Sequence, residues 1–169
     1  PPLAFGYAET RERFKSRTGR TFDPVAAAES AATHTLALLL DALDHGPGVE
    51  YATMTSIHAY SSDQPLQDYA QGDQRRSRSA AQNIIPNANA SAACVEQLLP
   101  RFAGRLSGCA LNVPVQRGSL LDLNCVLREV ANAEAINDVI RAAAAARPRM
   151  IAVAEDPIVS SDVIGCRQT

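Results

Sequence analysis

The chain has 169 residues, a formal net charge of −2 and a pI near 5.9, which fits one domain with a real core and gives no electrostatic ground for a nucleic-acid or anionic-membrane partner. Its basic residues include a single lysine, Lys15, and its four cysteines, Cys94, Cys109, Cys125 and Cys166, have no C-x-x-C spacing, which argues against Schiff-base chemistry, a zinc site and a disulfide framework. No apolar run nears the roughly 20 residues of a membrane span and the start lacks the basic-then-apolar order of a signal peptide, so the expectation is a cytoplasmic, unexported protein acting on a small molecule, with no metal.

Residues 1–23 carry Arg11, Arg13, Lys15, Arg17 and Arg20 against Glu9 and Glu12, and read as a basic N-terminal arm whose ordinary alternative is a solvated charged face. Asp23-Pro24 is a helix-start signal, so residues 24–169 are taken as the folded domain, opening with a long helix. That helix runs through Leu36, Leu38, Leu39, Leu40 and Leu43 and stops at Gly46-Pro47-Gly48. Val49 to His58 is rich in β-branched residues and predicts a strand ending near His58, followed by a polar loop over residues 60–83. Ala90 to Phe102 predicts a helix with Cys94, Val95, Leu98 and Leu99 on one side. Gly108 to Val113 and Ser119 to Leu127 predict two strands able to pair as a hairpin, the second with Leu121, Leu123, Cys125 and Leu127 alternating with mostly polar residues. Asn132 can cap a helix through Ala146 with an Ile136, Val139, Ile140 stripe, and Met150 to Ala154 reads as a last strand. Helices and strands interleave without strict alternation, which predicts an α+β fold with a mixed or largely antiparallel sheet.

His58-Ala59-Tyr60, Asp63-Gln64, Arg75-Arg76-Ser77-Arg78, Asn83-Ile84-Ile85-Pro86, Val113-Pro114 and Pro157-Ile158-Val159-Ser160-Ser161-Asp162 occur in one order and spacing. Together they resemble the catalytic domain of the glyceraldehyde-3-phosphate dehydrogenase family over about residues 28–165. The resemblance implies a large, mostly antiparallel mixed sheet with helices on one face. It also implies that residues 60–83 form a loop approaching a neighbouring subunit, and hence a homo-oligomer. The family's nucleophile motif, Ser-Cys-Thr-Thr-Asn, aligns with Ser30-Ala31-Ala32-Thr33-His34, putting Ala31 where the thiolate belongs. His58 follows at the family's cysteine-to-histidine interval. An engineered cysteine-to-alanine change would look the same. Arg76 matches a phosphate-binding arginine, and Ser61 and Asp63 match positions at a second phosphate site. Asn89-Ala90 replaces a Thr-Gly phosphate contact, and Asn112 replaces an arginine before Val-Pro. No G-x-G-x-x-G opens the chain, so no cofactor is expected to be held here.

His58 and His34 are the candidate acid and base, since imidazole moves protons near neutral pH and His34 lies one turn beyond Ala31. Alone, a strand-end histidine is as often a buried structural residue. The candidate substrate or anion contacts are Arg76, Ser61, Asp63, Asn89 and Asn112, with surface pairing as the ordinary alternative for Arg76 and Asp63. These residues lead to the expectation of a non-redox acid/base enzyme, an isomerase, dehydratase or lyase, or cyclase, acting on a small polar or anionic substrate. The alternatives are a catalytically silent scaffold and a fragment or Cys-to-Ala variant of an NAD-dependent aldehyde-phosphate dehydrogenase.

Overall fold

The computed structural model describes residues 31–166, 168 and 169. The basic arm and the Asp23-Pro24 helix start lie outside the described residues.

Helix α1, Ala31–Asp44, is the spine of the core. Ala32, Leu36, Leu40 and Leu43 fall at helical spacing and are all buried, Leu40 with no exposed surface. They meet Val49, Ala52 and Met54 of strand β1, Val49–Ala59, together with Val95 and Phe102. The helix ends at the expected glycine–proline break, where Gly48 N–H donates to Leu43 O at 3.0 Å.

Four strands form one sheet: β2, Ile85–Ala88; β3, Leu106–Val113; and β4, Ser119–Leu127, join β1 in the spatial order β2-β3-β1-β4. β1 pairs parallel with β3 and antiparallel with β4, and β2 pairs antiparallel with β3. The expected α+β class and mixed sheet therefore stand, although the sheet is a compact one of four strands among the described residues. The expected hairpin of the third and fourth strands does not form, because β1 lies between them. The loop 114–118 carries the chain across the end of β1, where Ala59 N–H donates to Gly118 O at 3.1 Å and Tyr60 N–H to Val115 O at 3.3 Å. Five residues easily span two inter-strand spacings of about 5 Å each. Gly118 makes this turn at φ 93°, a conformation that costs glycine least.

The Ala90 to Phe102 helix is split into α2, Ser91–Leu98, and a 3-10 turn, Pro100–Phe102. Proline lacks the N–H that would continue the helix. Cys94 and Val95 are buried as expected, but Leu98 is 46% exposed, on the outer side of the last turn. Phe102 is fully buried, with the guanidinium carbons of Arg101 and Arg105 at 5.1 and 5.5 Å from its ring centre. Helix α3, Ala133–Ala146, starts with Asn132 accepting from Ala135 N–H at 2.9 Å, and Ile136 and Ile140 pack on the core. The expected last strand at Met150 to Ala154 is absent. Only Ile151 is buried there, and the backbone makes two bonds with Thr169, Ala152 N–H to Thr169 O and Thr169 N–H to Met150 O.

All three helices lie on one face of the sheet. The opposite face leaves Tyr51, Leu120 and Val126 exposed. Among the described residues no helix is long and apolar enough to cross a membrane.

Candidate functional site

Residues of β1 alternate between the two faces, so Ser56 and His58 share the helix-bearing face. In register, His58 stands opposite Asn112 on β3 and Ser119 on β4. Ser56 has no exposed surface, and its hydroxyl is hydrogen-bonded to His58 Nε2. His58 is only partly buried, yet burial pushes its pKa below the ordinary imidazole value. The neutral ring is therefore favoured at neutral pH.

Asn112 is buried and its amide is committed: Oδ1 accepts from Asn87 Nδ2 and Nδ2 donates to Ala59 O, both at 3.4 Å. Thr33 of α1 and Ser91 of α2 are buried where the two helices meet, joined by a Thr33 Oγ1 to Ser91 Oγ bond of 3.0 Å. Asn89 is also spoken for, accepting from Ser91 N–H at 2.6 Å just ahead of α2. Thus the two asparagines among the candidate anion contacts brace the sheet end and a helix start.

Beyond β1 the loop makes a second group. Asp63 takes Arg76 in an ion pair and accepts a hydrogen bond from the Ser61 hydroxyl. Gln64, 5% exposed, accepts from Ser61 N–H at 3.1 Å, and its own Nε2 has no partner. Arg76 is a satisfied cation here, already facing a carboxylate. No hydrogen bond or ion pair among the described residues joins this group to His58.

A cavity of about 590 Å³ opens at the start of α1. Its wall includes Ala31, Ala32 and Thr35 of α1, Arg117 of the 114–118 loop, Ser119 at the start of β4, and Ile164 from the last segment. Ser119 is the direct cross-strand partner of His58. Ala31 therefore shares the cavity wall with the cross-strand partner of His58, while His58 itself is not part of that wall. Nor is His34: it is exposed, and α1 presents Ala31, Ala32 and Thr35 to the cavity instead. His45 sits at the helix end, its Nδ1 2.6 Å from Asp41 O.

Sequence reasoning missed Ser56, Ser119 and Arg117. Ser56 was legible in principle, because a residue two before His58 on a strand must share its face. Ser119 and Arg117 depend on which strand lies next to β1, and no local pattern carries that.

The comparisons with known proteins agree with one another. A family model described as glyceraldehyde 3-phosphate dehydrogenase, C-terminal domain, matches residues 30–169. A glyceraldehyde-3-phosphate dehydrogenase of Kitasatospora aureofaciens is 40% identical over 137 residues, covering 80% of this chain and 41% of that protein. One of Mycobacterium avium is 43% identical over 136 residues, 80% of this chain and 40% of its own length. One of Clostridium acetobutylicum is 39% identical over 145 residues, 85% of this chain and 42% of its own length. The chain spans about two fifths of the length of the curated relatives it matches. These matches overturn the expectation of a redeployed non-redox isomerase, lyase or cyclase. The relatives are named as dehydrogenases, and the similarity favours the fragment or Cys-to-Ala alternative.

Proposed function

The chain belongs to the glyceraldehyde 3-phosphate dehydrogenase C-terminal domain family, and on that premise we propose that it is the catalytic-domain part of an NAD-dependent aldehyde-phosphate dehydrogenase whose nucleophile position holds Ala31. The observation that carries this reading is the shared cavity wall of Ala31 and Ser119, with His58 directly across the strand from Ser119. A thiol at position 31 would meet an imidazole that burial keeps neutral, the form able to accept its proton. A methyl group has no lone pair to attack an aldehyde, so this chain does not carry the covalent step as it stands.

His58 is the base of this reading. Arg76, Ser61 and Asp63 stay outside it as a separate loop group, Arg76 being paired with Asp63, and exposed His34 lies off the cavity wall. Asn89 and Asn112 offer neutral amides where charged donors would grip phosphate far more strongly. The described residues contain no strand, Gly-rich turn and helix unit suited to a dinucleotide pyrophosphate, and they do not fit that cofactor by themselves. The same reading assigns residues 1–23 to an arm and 24–169 to the domain, places the protein in the cytoplasm, and has it self-associate through the open sheet face.

The test restores the thiol. Ala31→Cys is treated briefly with iodoacetamide at neutral pH, and the adducts are located by peptide mass. The introduced thiol is expected to be alkylated faster than the exposed Cys109 and Cys166, with the advantage lost in Ala31→Cys/His58→Gln. A restored thiol no faster than those two sinks the proposal.

A further inference from the structure

Ser56 carries a hydroxyl with no exposed surface on β1, an interior strand of the sheet. A buried O–H needs an acceptor, because leaving it unpaired costs more than an ordinary hydrogen bond contributes. Among the described residues its one side-chain partner is Nε2 of His58, two residues on and therefore on the same face. The cross-strand neighbours of His58 do not compete for that ring. Asn112 has its amide committed to Asn87 and Ala59, and Ser119 has no side-chain hydrogen bond among the described residues.

The Ser56–His58 bond can run in either direction, and the surroundings decide which. With the ring proton on Nε2, the N–H would donate to Ser56 Oγ, and the buried hydroxyl proton would have no acceptor among the described residues. With the ring proton on Nδ1, the hydroxyl donates to the Nε2 lone pair. Nδ1 has no hydrogen-bond partner among the described residues and is not shut away from solvent, so water can serve its N–H. The second arrangement satisfies both groups. The tautomer of a histidine is set by the bonds its ring nitrogens make, often through a carboxylate or carbonyl on Nδ1. No carboxylate of the described residues pairs with His58, whose lowered pKa comes from burial. Ser56 is left as the group that fixes the ring.

We propose that Ser56 is the positioning residue of His58: its hydroxyl donates to Nε2 and holds the imidazole as the Nδ1–H tautomer, which leaves Nε2 as the nitrogen with a lone pair. The assignment rests on the reading of His58 as the base and says which of its nitrogens would work. A thiol at position 31 would give its proton to Nε2. The S–H bond breaks, the Nε2–H bond forms, thiolate and imidazolium result, and Ser56 turns from donor to acceptor of the new N–H. Ser56 does not line the cavity beside Ala31 and acts only through the ring.

The tautomer is read from the ring nitrogen shifts of the full chain by NMR at about pH 8, where an ordinary imidazole is neutral, with the His58 signals identified by their loss in His58→Gln. The parent is expected to hold His58 in the Nδ1–H form. Ser56→Ala is expected to lower the ratio of Nδ1–H to Nε2–H about threefold to tenfold, the equivalent of one ordinary hydrogen bond. Ser56→Thr, which keeps the hydroxyl on a β-branched residue suited to a strand, is expected to restore the ratio to within about twofold. A serine that only fills space would leave the ratio unmoved. A parent ring in the Nε2–H form, an unchanged ratio in Ser56→Ala, or no recovery in Ser56→Thr would each overturn the proposal, and the first of these needs no variant to fold. The parent has no thiol at position 31, so the two readings fail separately. Alkylation of Ala31→Cys that ignores His58 counts against the proposed function and leaves the tautomer as measured, while an Nε2–H ring counts against Ser56 even where alkylation depends on His58.

Discussion

Gly108 has no side chain, and Met54 has taken the space: a Cβ there would fall 2.7 Å from Met54 Cγ and 3.2 Å from Met54 O. Gly108→Ala is expected to cost about 1–3 kcal/mol through this overpacking, read as a lower urea midpoint. An unchanged midpoint would mean that β1 and β3 part more freely than their pairing implies. His58 makes the second residue-scale prediction. Its pKa lies below the ordinary imidazole value because burial disfavours the cation. The folded state therefore binds its proton less readily than the unfolded chain. The associated stability is fully present above the unfolded value of about 6.5 and is lost as pH falls through the folded value. Imidazole shifts followed by NMR should place the His58 midpoint below the ordinary imidazole value of about 6.5, and a midpoint at that value would contradict the burial. At this scale the sequence was informative where chemistry is local. Asn132 was recognisable as a cap and His58 as a strand-end imidazole, whereas the pairing of Arg76 with Asp63 and the commitment of Asn112 to Asn87 and Ala59 required the fold.

The end of α1 is tied to its neighbours by charge. Asp41 receives Arg101 and Arg147 at 2.6 Å each, and Asp44 receives Arg101 at 2.8 Å and Val49 N–H at 3.3 Å. Burial opposes ionisation of both carboxyls, but the hydrogen bonds outweigh it, from Arg147 then Arg101 at Asp41, and from Val49 N–H then Arg101 at Asp44. Both pKa values are lowered. Their contribution is present above the unfolded carboxylate range near pH 4 and is lost as pH falls below it. Thermal melts should show Tm falling between pH 4 and pH 3, more shallowly in Asp41→Asn. A wild-type and a variant with parallel pH profiles would remove Asp41 from this role. Elements with strong internal periodicity were legible: β1, β4 and α3 lie where alternation and helical spacing put them. The pairing of β1 between β3 and β4 was not, because strand order is set by which faces fit together at long range. Met150 to Ala154 failed as a strand for a related reason. Its composition suits a strand, but only Ile151 finds a core to enter.

Among the described residues one face of the sheet is buried and the other exposed, with Tyr51 39%, Leu120 56% and Val126 54% exposed beside Thr53, Thr55, Asp122 and Asn124. We propose that these exposed apolar side chains, on a face shared with those polar ones, form an association surface. Light scattering after size exclusion is expected to give a dimer or larger species, and Leu120→Lys/Val126→Lys to shift it to the monomer. A monomeric parent at high concentration contradicts that assignment. The family was legible in the sequence because several short motifs occur together in order, and the fold follows from it. The chemistry was misjudged because retained His58 and Arg76 were weighed as a working set, while Arg76 is paired and the comparisons lead to the dehydrogenases. What remains is a cavity walled by Ala31 and Ser119, with His58 across the strand from Ser119 as the proposed base. The direct test is the pH dependence of alkylation at position 31 in Ala31→Cys, with and without His58→Gln. A reactive thiolate persisting below the usual thiol range of about pH 8.5, and returning toward that range in the double variant, is the predicted result. A single ordinary thiol titration in both variants would contradict it, and would mean that His58 and position 31 do not share a site.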